Sequence, residues 1–461
     1  MKGKVLFKFF CCLAGISLVA GVANAAPGFK ISDKKDSVTI QEAATPEFIT
    51  EIKKVVGDGK DVEFRLEKTD SNDDLARVCD AFPNMNGLNI DQPKTLTSIA
   101  PVSKLKSITR FTLNYAKVSD FSPLSNLTTL TRIKISGNNV NNGMMGPDLK
   151  WMSKLTNLTD IHIAGPGHLK TFVSFEGIPS LPKLTSATFA GGAPASLEPL
   201  HALPGLTKLD LTNCTIADLT PLTKLTALRE LSLYGVTVKD FSPLAALPKL
   251  EKLKYYATKG ADYSTLGKLT QLKELTGGLS ELIDISWIAN LPNLRKFDVF
   301  AENIADLSPL GKAKVEDFQI WDMKSHVDLK QISGAVSIKK LKLWSAKNIS
   351  GFEGLGSLVN LEELILMNMN AKDGTLVNLA FAKSLVNLKK LQIDSSDVSN
   401  FDAVAGCVKL ETVDISKSST GVTSLAALKK LPNLKHVNIP KGMFSDAELA
   451  GFAATVNISQ R

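Results

Sequence analysis

Apolar and polar residues alternate in short runs that recur at a fixed spacing along most of the chain. Leu206, Leu228, Leu250, Leu272 and Leu294 stand 22 residues apart, each opening a unit such as LTKLDLTNCTIADLTPLTKLTA (Leu206 to Ala227) or LRELSLYGVTVKDFSPLAALPK (Leu228 to Lys249). The frame continues upstream at Met85, Ile108, Leu130, Leu158 and Leu184, and downstream at Val315, Ile338, Leu361, Leu388, Leu410 and Leu434. That makes about sixteen units of roughly 22 residues, the self-similarity of a repeat architecture.

Within a unit, positions 4 and 6 (Leu209 and Leu211) are apolar while 3, 5 and 7 are mostly polar, which is the period of a strand with one buried face. Position 11 (Ile216) and positions 14, 17 and 20 (Leu219, Leu222, Leu225) supply a second apolar layer. Pro123, Pro221, Pro243 and Pro309 precede position 17 and suit a short turn or 3₁₀ segment better than a long helix. One unit cannot bury its own apolar face, so units stack. The expected architecture is an α/β solenoid with a parallel sheet on its concave face, short 3₁₀ or turn segments on its convex face, and helical caps.

The consensus L-x-x-L-x-L-x-x-N-x-I-x-D-[LF]-x-P-L-x-x-L resembles the internalin type of bacterial leucine-rich repeat, from about Met85 to the end. The resemblance implies a leucine-rich-repeat solenoid with a binding surface; internalins grip their receptors with concave aromatic residues. The chain departs from the pattern at position 9, where Asn138 is kept but Ala116, Cys214, Val236, Thr258 and Ser396 stand elsewhere. The surface-anchoring modules of internalins are absent, so a role in host invasion does not carry over with the repeat.

Four segments are expected. Residues 1–25 read as a signal peptide: Lys2, Lys4 and Lys8, an apolar run from Leu13 to Val22, then Ala23-Asn24-Ala25, the charged, apolar and small-residue order of a secretory leader. Residues 26–84 form an N-terminal cap with a helix and first strand; Thr45-Pro46-Glu47 reads as a helix start. Residues 85–440 carry the repeats. Residues 441–461 form a C-terminal cap helix, with Ser445 and Glu448 as a capping box. The frame is stretched at Asn141–Lys150, Gly165–Glu176 and Ala371–Lys383, where loops are expected.

The formal charge of +8 falls to about +5 without the leader's three lysines. No basic block is dense enough to call for nucleic acid, and no second apolar run is long enough to span a bilayer. The leader implies a secreted or periplasmic protein. Cys79, Cys214 and Cys407 fall at interior positions of the frame and read as buried thiols rather than a disulfide framework. His162, His168, His201, His326 and His436 lack metal-ligand spacing. No G-x-S-x-G, P-loop or H-E-x-x-H is present. Catalysis, a cofactor and a metal are therefore not expected.

Equivalent positions of successive strands form columns about 4.8 Å apart. Position 3 reads Lys208, Glu230, Lys252, Glu274, Lys296, Asp317, Lys340, Glu363, Lys390, an alternation of sign expected to make a structural ionic ladder. Position 7 reads Thr212, Tyr234, Tyr256, Gly278, Phe300, Trp321, Trp344, Met367, Asp394. A stripe of large rings over six strand steps, about 29 Å, is costly to leave exposed. It either binds a partner or stacks upon itself to seal the strand ends.

The candidate ligand-binding residues are Tyr234, Tyr256, Phe300, Trp321, Trp344 and Met367, with Lys254, Asp298, Gln319 and Lys342 of position 5 beside them. The expected function is recognition of a protein or peptide partner, in adhesion or host interaction. A glycan-binding module and a structural or self-associating envelope component are the alternatives. Oligomeric state is not legible in the sequence.

Overall fold

The computed structural model describes residues 28–461 except 68–70, 138–148, 166–174, 258–260, 280, 347, 370–376 and 418–420. The leader, Asn138, Thr258, His168 and the middle of each stretched segment lie outside the described residues.

Among the described residues, twenty strands join in one sheet. Its first two, Phe29–Ile31 and Ser37–Ile40, form an antiparallel hairpin. From there the pairings are parallel, one strand per repeat, to the last strand Asn457–Gln460. Position 4 stays in register from Leu231 through Leu253, Leu275, Phe297, Phe318, Leu341 and Leu364 to Leu391. Most strands bury their second and fourth residues and leave the first, third and fifth partly open. The apolar core therefore lies behind the sheet as one continuous column.

The convex layer is built from 3₁₀ turns such as Thr220–Lys224, Ser242–Ala246 and Ser308–Gly311, each with proline in its first turn. Asp120, Asp218, Asp240, Asp284 and Asp306 cap these turns, each Oδ1 accepting from the backbone N–H two residues on at 2.7–2.8 Å. This Asx turn fixes the corner before the segments that hold Pro123, Pro221, Pro243 and Pro309, while Ser98 and Ser196 hydroxyls accept in the same way before those of Pro101 and Pro199.

Two devices hold repeat to repeat without the position 9 asparagines. The residue just before position 1 reaches the backbone of the preceding repeat. The side-chain amides of Asn157, Asn293, Asn360, Asn387 and Asn433 donate to the carbonyls of Thr128, Thr270, Val336, Val359 and Val408 at 2.8–3.0 Å. At position 9 itself, the Cys214 thiol donates to Phe189 O and the Ser396 hydroxyl accepts from Met369 N. Cys79, Cys214 and Cys407 are buried and free. Burial pushes the Cys79 and Cys407 thiols up to about 12 and Cys214 to about 11.

The ionic column at position 3 closes as separate pairs, Lys208–Glu230 at 3.8 Å, Lys252–Glu274 at 3.0 Å and Lys390–Glu363 at 3.0 Å, not as an unbroken ladder. A lysine ammonium that contacts one carboxylate leans away from the other neighbour. Position 2 is better connected. Glu251 bridges Arg229 and Lys273 at 3.3 and 3.0 Å, and Glu316 bridges Arg295 and Lys339 at 3.6 and 2.8 Å.

At the N-terminal end, helix Pro46–Val56 starts where Thr45 Oγ1 accepts from Phe48 N. A second helix, Asn72–Ala81, goes beyond the one expected; it buries Leu75, Val78 and Cys79 under a Ser71 cap. At the C-terminal end, Ser445 caps the short helix Asp446–Leu449. Glu448 does not close the capping box; its carboxylate accepts from Leu425 N at 3.4 Å and pairs with Lys429 at 3.7 Å. Strand Asn457–Gln460 then adds to the sheet, so the last segment holds a strand as well as the expected helix.

Candidate binding surface on the concave face

A left-handed corner ends most strands at position 8. Gln92, Tyr115, Asn213, Asp322, Ser345, Asn368 and Ser395 all have φ between 49° and 64° there, and Gly137, Gly191 and Gly235 share the conformation. Ala257, Leu279 and Ala301 do not. Strands Lys252–Ala257 and Glu274–Leu279 accordingly run to six residues, and Ala257 pairs with Leu279. The aromatic stripe crosses this altered stretch.

The stripe has two stacked groups. Tyr234 and Tyr256 stack at 4.8 Å between centroids with 26° between planes. Trp321 and Trp344 stack at 4.1 Å and 13°. Between them Phe300 lies 6.4 Å from Tyr256, tilted by 35°, although two strand steps separate their backbones by about 9.6 Å. Tyr256 bridges that gap by leaning over Gly278, where a Cβ would come within 2.2 Å of its ring. Mutual stacking covers part of each ring without removing the stripe from the surface. Tyr234 stays 49% exposed, and Tyr256, Phe300, Trp321, Trp344 and Met367 are partly exposed.

Gly277 and Gly278 leave positions 6 and 7 of their strand without side chains. The Tyr256 ring takes the space over Gly278, and beside it opens a cleft of about 330 Å³ lined by Tyr255, Thr276 and Gly277, by the rings of Tyr234, Tyr256, Phe300 and Trp321, and by Lys254 and Asp298. Its size lies at the lower end of the roughly 300–1,000 Å³ typical of ligand pockets. Asp298 Oδ1 accepts from Trp321 Nε1 at 3.2 Å, which fixes the carboxylate against the indole.

Six of the sequence candidates thus meet at one cleft: Tyr234, Lys254, Tyr256, Asp298, Phe300 and Trp321. Gln319, Lys342, Trp344 and Met367 continue the surface beyond it. Thr276 and Gly277 were not among the candidates. The signal for them is a Gly-Gly pair where every neighbouring repeat has a strand residue with a side chain. Past Met367 the stripe ends at Asp394, which is 6% exposed and paired with Lys417 at 3.2 Å.

Toward the N-terminus the same face is polar, with Asn114, Ser136, His162, Thr188 and Asp210 on successive strands. Burial holds the His162 imidazole below its ordinary value, with Lys134 adding to the effect. Among the described residues no group of three or more His, Cys, Asp and Glu side chains is placed to hold a metal ion. Nor is any helix there long and apolar enough to cross a membrane.

One parallel strand per repeat, stacked in register with a 3₁₀ layer behind it, leaves a single architecture. This chain is a leucine-rich-repeat solenoid. The leucine-rich-repeat chain superimposes on the structure of a TLR13–ssRNA13 complex with a TM-score of 0.60 at 16% identity, covering 92% of this chain and 65% of that one. An internalin of Listeria monocytogenes matches at 20% identity and a TM-score of 0.33, covering 90% of this chain and 88% of that one. A leucine-rich-repeat protein of Leptospira interrogans matches at 15% identity and a TM-score of 0.49, covering 90% and 93%. No protein-family model matches the chain, and no curated protein does. What the TLR13–ssRNA13 structure shares with this chain is the fold alone.

Proposed function

We propose that this leucine-rich-repeat protein is exported and binds a protein or peptide partner through its concave face, in adhesion or host interaction. The observation that carries the reading is the cleft at Gly277 together with the rings of Tyr234, Tyr256, Phe300 and Trp321 around it. Aromatic anchors beside a desolvated pocket dominate protein–protein hot spots, often at about 2 kcal/mol or more each. Trp344, Met367, Gln319 and Lys342 extend the same contact surface along the next strands. Export rests on the charged, apolar and Ala-Asn-Ala segments of the first 25 residues.

Single-stranded RNA fits the surface less well. Bases stack on aromatic rings, but such sites add a cationic track along the backbone. Here Lys254 and Lys342 are interrupted by Asp298 in the same column, and Lys252 and Lys390 are held by Glu274 and Glu363. A glycan is the second reading, since Asp298 and Gln319 offer acceptors and an amide beside stackable rings.

Affinity capture from host-cell and bacterial-envelope extracts tests the proposal. Mature protein is compared with a Trp321→Ala/Trp344→Ala variant matched for melting temperature. A protein partner kept by the first and lost by the second supports the reading. Equal capture by both refutes a concave site, and capture of polysaccharide alone moves the assignment to glycan.

A further inference from the structure

Resting on the peptide reading above, we infer that the Gly277 cleft is an arginine socket, taking one arginine side chain of the partner onto its aromatic walls and against Asp298.

Three features select this chemistry. First, the walls are aromatic ring surface from Tyr234, Tyr256, Phe300 and Trp321. The face of an aromatic ring attracts a cation electrostatically, and a planar guanidinium stacks on it as well. Second, the polar group held beside those rings is a carboxylate. Asp298 Oδ1 is engaged by Trp321 Nε1, which aims the group and leaves Oδ2 for a further donor. A guanidinium presents paired N–H groups in a fixed fork and suits a carboxylate better than an ammonium does. Third, the floor is Thr276 and Gly277. The rings of Tyr234, Tyr256, Phe300 and Trp321 give the long methylene stem of an arginine apolar surface to lie along, so stem and head are both accommodated.

The neighbouring charges separate Asp298 from the rest of the face. Its cross-strand partners in the sheet, Thr276 and Gln319, are neutral. Lys254 and Lys342 lie two strand steps away on opposite sides, about 9.6 Å at the sheet spacing, Lys254 on an exposed stem. Coulomb energy falls with distance, so a cation in contact with Asp298 gains more than it loses to Lys254. Lys254 stands free to meet a carboxylate of the same peptide, which sets the direction in which the chain crosses the strands. The acidic groups of positions 2 and 3 nearby, Glu251 and Glu274, are already paired with lysine or arginine; Asp298 carries no such partner.

The test uses the mature chain and a random twelve-residue peptide display library. Peptides enriched on the wild type are expected to share an arginine. Replacing that arginine by citrulline, which keeps the shape and removes the charge, is expected to weaken Kd at least tenfold. On an Asp298→Asn variant, whose Oδ1 still accepts from Trp321, the same replacement is expected to cost less than twofold. Enriched peptides lacking arginine, or equal losses on both proteins, overturn the socket. If Asp298→Asn leaves Kd unchanged while Trp321→Ala/Trp344→Ala abolishes binding, the concave reading survives and the socket falls. If no peptide is enriched, both fall.

Discussion

The ring of Tyr256 takes the place where a Cβ of Gly278 would stand, closing at 6.4 Å on Phe300 from across an intervening strand. One residue before, Gly277 sits so close to Tyr255 that a Cβ would meet the Tyr255 carbonyl oxygen at 1.5 Å. The two glycines therefore do different work. Gly278 seats a side chain that has room to move, and Gly277 permits an approach of backbone to backbone that does not.

Alanine should separate them. Gly278→Ala displaces the Tyr256 ring and is expected to cost about 1–3 kcal/mol, the range for overpacking, with loss of ligand binding. Gly277→Ala forces the sheet apart and should cost more than Gly278→Ala. Urea midpoints of the two variants check the order; the reverse order would show that the backbone approach is not tight.

The position 2 charges should matter slightly more than those of position 3. Glu251→Lys breaks two pairs and Glu274→Lys one. Each exposed link is worth about 0–1 kcal/mol, so both should lower the melting temperature modestly. Because salt screens exposed pairs, the deficits should shrink in 1 M NaCl, roughly the ionic strength at which the Debye length is ~3 Å. A deficit independent of salt would assign the effect to packing.

Acid should unfold the solenoid through these same carboxylates. Hydrogen bonds from lysine hold Glu251, Glu362 and Glu411 below their ordinary value of 4.5, and hydrogen bonds from Ser or Thr hold Asp120, Asp218 and Asp240 below 3.8. A lowered folded-state value contributes stability above the unfolded value and loses it as the pH falls through the folded one. Melting temperature should therefore hold from neutral pH down to about the unfolded carboxylate range and decline below it. Asp240→Asn keeps an Oδ1 that accepts from Ser242 N but removes the titrating charge, and should flatten part of that decline.

The inter-repeat amides should be visible despite their exposure. Asn360→Ala and Asn387→Ala each remove a bond to the preceding repeat's backbone at 2.9 and 2.8 Å. The expected loss is about 0.5–1.5 kcal/mol apiece, read from urea unfolding. Near-zero changes at both would mean water replaces the amide without cost.

The three thiols should be silent in the native state. With values of about 11 to 12 and no access to solvent, Cys79, Cys214 and Cys407 should resist a thiol reagent at neutral pH. All three should react once guanidinium unfolds the mature chain. Fast native labelling of any one would contradict its burial.

The sequence alone determined the repeat, its frame and the strand faces. A period of 22 residues and an alternation of period 2 are local facts, and stacking is the one way such units bury their apolar side. It also placed the rings of position 7 in a column, because strand register carries equal frame positions into neighbours. Tertiary structure decided everything that depends on how side chains share the space between strands. Tyr256 leans over Gly278 only because the next strand offers no Cβ, and Asp298 is aimed by an indole from the following repeat. Position 3 broke into pairs because an ammonium in contact with one carboxylate is drawn away from the next. The asparagines before position 1 look like ordinary surface residues in the sequence; their role appears only when the preceding repeat brings a carbonyl within hydrogen-bond reach. Pattern fixes which face a residue points to, while neighbours less than 5 Å away across the sheet, in the range of strand spacing, fix what it touches there.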